Sequence, residues 1–406
     1  MKKIKILCAA LLVLTGMQNA NAQQPITFEK YLLEVANSNL EYLSQQHNVK
    51  IADAEITIQK MFPDPELAFE AVNEIFSLEL SYTLELGKRK NRVNLAKTQA
   101  EIETLAIEWF FSELRAEAAD AYLNAILQRE LLEVKRNSYK YMAQLSEYDS
   151  LRYKAGEISE NDARQTLLEA AMLLNEVYSQ EGEYKSAIVL LNQYMGNSTG
   201  ELFDPLGNWD NIDKHYELNK LVAYGTEYRI DLVVANKNID MALQNIRAVK
   251  AERRPDIGVM VGYERNWNGL FPVRQNMLKA GIAIPLKFSN LNKGSIRQSE
   301  HILNQNETQA QHIALQIQTD ISQAYFRYES LGWQVEEYRS GLLNEAHTSL
   351  EGMTFRYKRG EINILELLVA QRTYNEIREK YLESMKEYAS SLISLQKCTG
   401  IWDIVL

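Results

Sequence analysis

The chain is poor in the residues that interrupt helices and in those that staple folds together. Of its 406 residues, 7 are proline, 18 glycine and 2 cysteine. So few prolines leave long stretches free to run as helix, since an interior proline costs about 3 kcal/mol. Cys8 lies in the leader described below, so the mature chain is expected to keep only Cys398, a small packing residue, and no internal disulfide. Basic residues are scarce too: 44 Lys and Arg stand against 54 Asp and Glu, a net charge of −10. That argues against nucleic acid, which needs clustered positive surface. Beyond the leader, no stretch reaches the roughly 20 apolar residues of a transmembrane helix. Any passage through a membrane must then be made by strands closed into a barrel.

Chemistry is missing as well. His47, His215, His301, His312 and His347 show no zinc-ligand spacing with cysteine or carboxylate. The methionines are scattered, and there is no nucleophile elbow, phosphate loop or dinucleotide fingerprint. No catalytic residue, cofactor or metal is expected.

What is there begins with an address. Lys2, Lys3 and Lys5 precede an apolar run from Ile6 to Leu14, and Ala20-Asn21-Ala22 forms a small-x-small site before Gln23. Residues 1–22 therefore read as a cleaved signal peptide, without acylation, of a double-membrane bacterium. Its removal takes away three lysines and no acid, leaving a net charge of −13.

The mature chain says nearly the same thing twice. Tyr153-Lys154-Ala155-Gly156-Glu157-Ile158 returns 204 residues later as Tyr357-Lys358-Arg359-Gly360-Glu361-Ile362, and Tyr184 and Gly196 match Tyr388 and Gly400 at the same offset. Asn39-Leu40 and Pro63 match Asp231-Leu232 and Pro255 at an offset of 192. This period is too long for a solenoid, whose units run to roughly 20–50 residues. Residues 23–200 form the first repeat, 201–213 the linker, 214–400 the second repeat and 401–406 a tail.

Each repeat follows one plan. A short helical region, roughly Thr27 to Met61 and then Lys214 to Ala251, is stopped by Pro63-Asp64-Pro65 or by Arg254-Pro255-Asp256. The period then changes from 3.6 to 2. Phe76, Leu78, Leu80, Tyr82, Leu84 and Leu86 alternate with Ser77, Glu79, Ser81, Thr83 and Glu85, a strand with one apolar and one polar face. Leu67, Phe69 and Ala71 form its partner, giving a hairpin at about 65–86. In the second repeat, Ile257, Val259, Val261 and Tyr263 pair with Leu278, Ala280, Ile282 and Ile284, a hairpin at about 256–287 around a longer loop. Long helices follow. From Gly87 to Arg152 no proline or further glycine intervenes, about 65 residues or roughly 95–100 Å. Ile296 to Arg356 does the same over about 60, with Gly332, Gly341 and Gly352 as weak spots. Each then turns at Gly156 or Gly360 and runs back, so the helix pairs cover 87–196 and 293–399.

Four strands cannot close a barrel, and helices this long outrun any globular core. Both difficulties vanish if three copies assemble. The expected fold is mainly α with a membrane β-barrel portion: three protomers give a 12-stranded barrel and a periplasmic helical barrel. A soluble coiled-coil protein with incidental hairpins is the plain alternative.

From residue 25 to about 400 the chain resembles the TolC-type outer-membrane efflux proteins (outer membrane factors). The resemblance rests on the leader, the two proline-ended helices before hairpins, and the exits Leu84-Glu85-Leu86-Gly87-Lys88-Arg89 and Ile284-Pro285-Leu286. It rests also on Tyr357-Lys358-Arg359-Gly360 followed by Ile364-Leu365-Glu366-Leu367-Leu368-Val369-Ala370-Gln371. It implies a homotrimeric, passive duct in the outer membrane that works with a periplasmic adaptor (membrane fusion) protein and an inner-membrane pump. The Leu-Glu-Leu-Gly-Lys-Arg exit is similar to the heavy-metal branch, which pairs with pumps of the resistance-nodulation-division class.

The resemblance also places candidate residues. Glu366, six residues past Gly360, falls where the family carries an acidic ring that narrows the passage, although the family's second acid is Val369 here. Three such carboxylates would attract cations and raise one another's pKa. A solvated helix-surface glutamate remains the other reading. Tyr357 matches a family tyrosine that ties the inner helix pair to the outer one. Asp162 falls at the expected partner position, and Ile362 stands where the family has a basic residue. Tyr357 is also one of 22 tyrosines, any of which can simply pack helix on helix. The tips at Gly156, Glu157, Gly360 and Glu361 are expected to dock the adaptor. Glu70, Glu79 and Glu85 are expected to line the barrel lumen if Leu78, Leu80 and Leu84 face lipid. Tyr263, Trp267 and Phe271 read as interface aromatics or as ordinary loop packing. A periplasmic scaffold or adaptor, and a general porin, are the rival functions.

Overall fold

Helix and strand follow the two periods of the sequence. The computed structural model describes residues 24–72, 75–198, 202–207, 212–266, 275–286 and 291–404. The leader, Trp267, Phe271 and residues 201 and 208–211 of the linker lie outside them. In chain order the elements are β1 (Gln24–Ile26), α1 (Phe28–Ser38), α2 (Leu40–Lys60), β2 (Glu66–Val72), β3 (Ile75–Leu84), α3 (Lys88–Lys154) and α4 (Glu160–Tyr194). The second half continues with β4 (Phe203–Pro205), α5 (Leu218–Tyr228), α6 (Ile230–Ala251), β5 (Ile257–Asn266), β6 (Gln275–Ala283) and α7 (Lys293–Glu337). A π-helical turn (Tyr338–Leu342), α8 (Leu343–Lys358) and α9 (Ile364–Thr399) complete it.

Three details depart from the sequence reading. Each short helical region is two helices, broken at Asn39 (ψ 118) and at Arg229 (ψ 128). Asn39 caps α2 by accepting from the Tyr42 amide at 2.9 Å, and the Arg229 guanidinium closes on Asp231 at 2.6 Å. The long helix of the second half is interrupted at the π turn, where Gly341 leaves helical geometry, whereas α3 runs unbroken for 67 residues. Of the three weak spots only Gly341 breaks the helix.

The described residues group into two units. The first holds the residues up to Leu43, Phe110–Glu227 and Ile317 onward. Its strands β1 and β4 pair in parallel, Gln24 with Phe203 and Ile26 with Pro205. They are clamped by side chains from the helices: the buried Tyr122 hydroxyl donates to the Ile26 carbonyl at 2.9 Å and also to that of Leu206. Asn192, 1% exposed, donates to the Phe203 carbonyl at 3.0 Å and accepts from its amide at 2.8 Å. The repeat recurs here, because Gln396 stands 204 residues after Asn192 and accepts from the Asp403 amide at 3.2 Å. A second cluster, between the helical hairpins, buries Met142, Leu145, Leu173, Leu350, Leu367 and Leu368.

The second unit holds Ser44–Trp109 and Tyr228–Gln316. It contains a four-stranded antiparallel sheet in the order β2-β3-β5-β6. The two hairpins are joined through β3 and β5, with Leu78 opposite Tyr263 and Leu84 opposite Ile257. Its helices hold together through small buried residues such as Ala96, Ala100, Ala235 and Ala242 and through polar ties such as Gln244 Nε2 to Thr98 Oγ1 at 2.8 Å.

Candidate channel wall and gate

The register sorts the sheet into two faces, since directly opposed residues of an antiparallel pair point the same way. One face collects Leu67, Phe69, Leu78 and Leu80 from the first hairpin with Val259, Val261, Leu278 and Ile282 from the second. Six of these eight side chains are apolar yet exposed, Leu278 by 85% and Ile282 by 71%, and Leu78 and Val259 are half-buried. The other face carries Glu70, Ser77, Glu79, Glu264 and Lys279, which surround a hollow of about 310 Å³. Lys279 forms an ion pair with Glu264. Glu264 and Lys279 were not singled out from the sequence. Their signal was the same alternation, carried one strand further.

Glu85 sits outside this set. It follows the end of β3, and both of its carboxylate oxygens are held by Arg92, at 2.6 and 2.9 Å. It belongs to the strand-to-helix exit, the Glu-Leu-Gly-Lys-Arg run, whose charged side chains are all engaged. Gly87 adopts φ +77 beneath Arg254, whose guanidinium would lie 2.9 Å from a Cβ there. Lys88, 5% exposed, bridges Asp256 at 2.7 Å and Glu252 at 3.1 Å, fastening the start of α3 to the start of β5. Arg89 lies 3.9 Å over the Phe62 ring.

The two tip turns are built alike. Gly156 (φ 79) and Gly360 (φ 73) are left-handed. The Glu157 amide reaches back to the Arg152 carbonyl at 2.9 Å and the Glu361 amide to that of Arg356 at 3.0 Å, the bond that closes a helix C-terminus of this type. The tip acids are locally paired, Glu157 with Arg152 at 3.2 Å and Glu361 with Arg356 and Arg359 at 3.8 Å.

The returning helices then start from caps. Ser159 Oγ accepts from the Asp162 amide at 3.2 Å, and the Asp162 carboxylate accepts from the Ser159 hydroxyl at 2.7 Å and from its amide at 3.3 Å. Asn363 Oδ1 accepts from the Glu366 amide at 3.0 Å. Asp162 and Glu366 therefore occupy the same third position of equivalent helices, where an acid also favours the helix dipole. Glu366 is exposed and its carboxylate is not part of its cap.

Tyr357 does not bond to Asp162, whose carboxylate is committed to Ser159. Its hydroxyl donates instead to Asp149 Oδ2 at 2.8 Å. Asp149 is fully buried, and its Oδ1 has no hydrogen-bond partner among the described residues. Burial therefore raises its pKa, against the lowering effects of hydrogen bonds from Tyr357 and Thr166 and of the Arg152 charge. The signal for Asp149 was an acid set on an apolar stripe, three and seven residues beyond Met142 being Leu145 and Asp149. The repeat hid it, since the residue 204 further on is Met353.

An exposed apolar sheet face backed by a polar one, with helical hairpins as long as α3 and α4, defines a protein of the outer-membrane channel class. Residues 226–401 match the model of the outer membrane efflux protein family. It is similar to the cobalt-zinc-cadmium resistance protein CzcC of Cupriavidus metallidurans, with 21% identity across 93% of this chain and 91% of that one. Its fold is that of CusC (TM-score 0.75, 18% identity, 92% of each chain). It is also that of the Neisseria gonorrhoeae outer membrane channel MtrE (TM-score 0.71, 16% identity, 92% of this chain and 89% of that one). The protein is placed in the outer membrane, with its helical portion in the periplasm.

Proposed function

We propose that three copies of this chain close into a passive export duct, a twelve-stranded barrel continued by a helical tunnel. It receives substrate from a periplasmic adaptor and an inner-membrane pump of the resistance-nodulation-division class. The observation that carries this reading is the sheet. It has four strands, an uncovered apolar face, and two edges, β2 and β6, with no strand partner among the described residues. A membrane tolerates no open edge, and four strands do not close alone. Three copies supply twelve strands and cover every edge. The duct does no chemistry of its own, and the pump provides the energy.

Its cargo, on this reading, is divalent metal cations. Glu70, Glu79 and Glu264 against a single Lys279 give each protomer a negative polar face, which attracts cations. CzcC is named for resistance to such ions. The tips at Gly156, Glu157, Gly360 and Glu361 receive the adaptor. The gate lies at the same end: the Tyr357–Asp149 bond holds it shut and a ring of Glu366 filters cations, while Asp162 shapes the first tip as a cap.

Cell fractionation tests the reading. An outer-membrane trimer resistant to SDS, with conductance in planar bilayers and metal sensitivity on gene deletion, is the expected result. A soluble periplasmic monomer would mean a scaffold or adaptor and would overturn it.

A further inference from the structure

A groove of about 520 Å³ opens in the first unit between α3, α8 and α9. That volume is within the usual range of small-molecule sites, about 300–1,000 Å³. Val134, Leu350, Phe355 and Tyr374 give it apolar walls. Its polar groups are unevenly satisfied. Ser138 and Gln371, each 5% exposed, both donate to Asn375 Oδ1, at 2.8 and 3.0 Å. The Gln371 Oε1 is buried without a hydrogen-bond partner among the described residues. A buried acceptor left in that state costs about 1–3 kcal/mol, recovered when a donor arrives.

The groove's cations show the same want of partners. Half-buried Arg378 and exposed Lys358 both line it, and neither forms a salt bridge among the described residues. Close by, Lys135 holds Glu176 at 3.0 Å and Glu379 at 2.5 Å. The groove's carboxylate, Glu351, stands beside His347 at 3.8 Å.

We propose that this groove binds small amphiphilic organic anions: sulfonates or carboxylates with an apolar body and a hydrogen-bond donor. The anionic head pairs with Arg378, with Lys358 adding positive charge nearby. The body lies against Tyr374 and Phe355, and the donor fills Gln371 Oε1. Helix α3 belongs to the first repeat and α8 and α9 to the second, and α3 and α8 also carry Asp149 and Tyr357. An occupant therefore bridges the same two hairpins as that hydrogen bond and holds them together. The site goes beyond the export reading, and its failure would leave the duct intact.

The test uses the full-length protein with Cys398→Ser and Asn137→Cys, which puts a single thiol of the mature chain on the exposed rim of the groove. Its maleimide labelling is timed against 8-anilinonaphthalene-1-sulfonate, which carries a sulfonate and an N–H donor, and against the uncharged N-phenyl-1-naphthylamine. The expected result is saturable protection by the sulfonate. Arg378→Gln should raise the half-protecting concentration roughly tenfold, the scale of one charge-assisted bond. Lys358→Gln and Gln371→Leu should raise it less, with all variants checked for native melting. Absent protection, as when water alone fills the site, would overturn the proposal. So would equal protection by the neutral amine, or protection that Arg378→Gln leaves unchanged.

Discussion

The phenol of Tyr357 donates to Asp149 at 2.8 Å across 208 residues of chain, and the bond ties the second repeat to the first. A neutral hydrogen bond is worth about 0.5–1.5 kcal/mol net, and one to a charged group about 1.5–3. A docking partner can release a tie of that size. Tyr357→Phe keeps the ring in its cluster and deletes only the hydroxyl, so it should raise open probability in planar bilayers with little loss of fold. Asp162→Ala should leave the current unchanged and cost about 1 kcal/mol in stability through its cap. Equal effects of both on current would refute Asp149 as the partner.

Asp149 should make the tip sensitive to acid. Its folded pKa is raised above the ordinary aspartate value of 3.8, chiefly by burial. A raised folded pKa contributes stability that is fully present below the unfolded value and lost as pH climbs through the folded one. Acidification through that window should therefore stabilise the tip, because the buried charge is neutralised while a carboxyl oxygen still accepts from Tyr357. Asp149→Asn keeps an acceptor without the charge and should flatten the dependence. Melting temperatures of the two proteins across the acid range decide this, and parallel curves would count against it.

Glu366 is exposed beside its cap at the start of α9. Glu366→Gln preserves the backbone cap from Asn363 and removes the charge, so reversal potentials in a salt gradient should shift toward lower cation preference. An unchanged potential would leave Glu366 as a surface residue only.

The fold was legible in the sequence because period and punctuation agreed: alternation at Phe76–Leu86, prolines at 63 and 255, and glycines at 156 and 360 each act locally. What the sequence concealed depends on packing at long range. Asp149 and Asp162 are both acids near the first tip, and only the burial of Asp149 against α8 decides between them. Glu85 fits the strand's alternation, yet Arg92, one turn into α3, takes both of its oxygens. The π turn at Tyr338–Leu342 was hinted at only by Gly341, and Gly332 and Gly352 look the same in sequence yet stay helical.

The two faces of the sheet should respond oppositely to charge. Leu278, 85% exposed on the apolar face, should sit in lipid once the barrel closes. Leu278→Arg should then cost about 2–4 kcal/mol if it lies near the bilayer midplane. Glu79 lies on the other face, opposite Ala68 and Gly262, which the proposed duct turns toward its lumen, and Glu79→Gln should leave assembly intact. The yield of SDS-resistant trimer in the outer membrane reads the first effect, and ion selectivity of the purified channel reads the second. If Leu278→Arg assembled normally while Glu79→Gln blocked assembly, the faces would be assigned the wrong way round. The acidic lumen would fall with them.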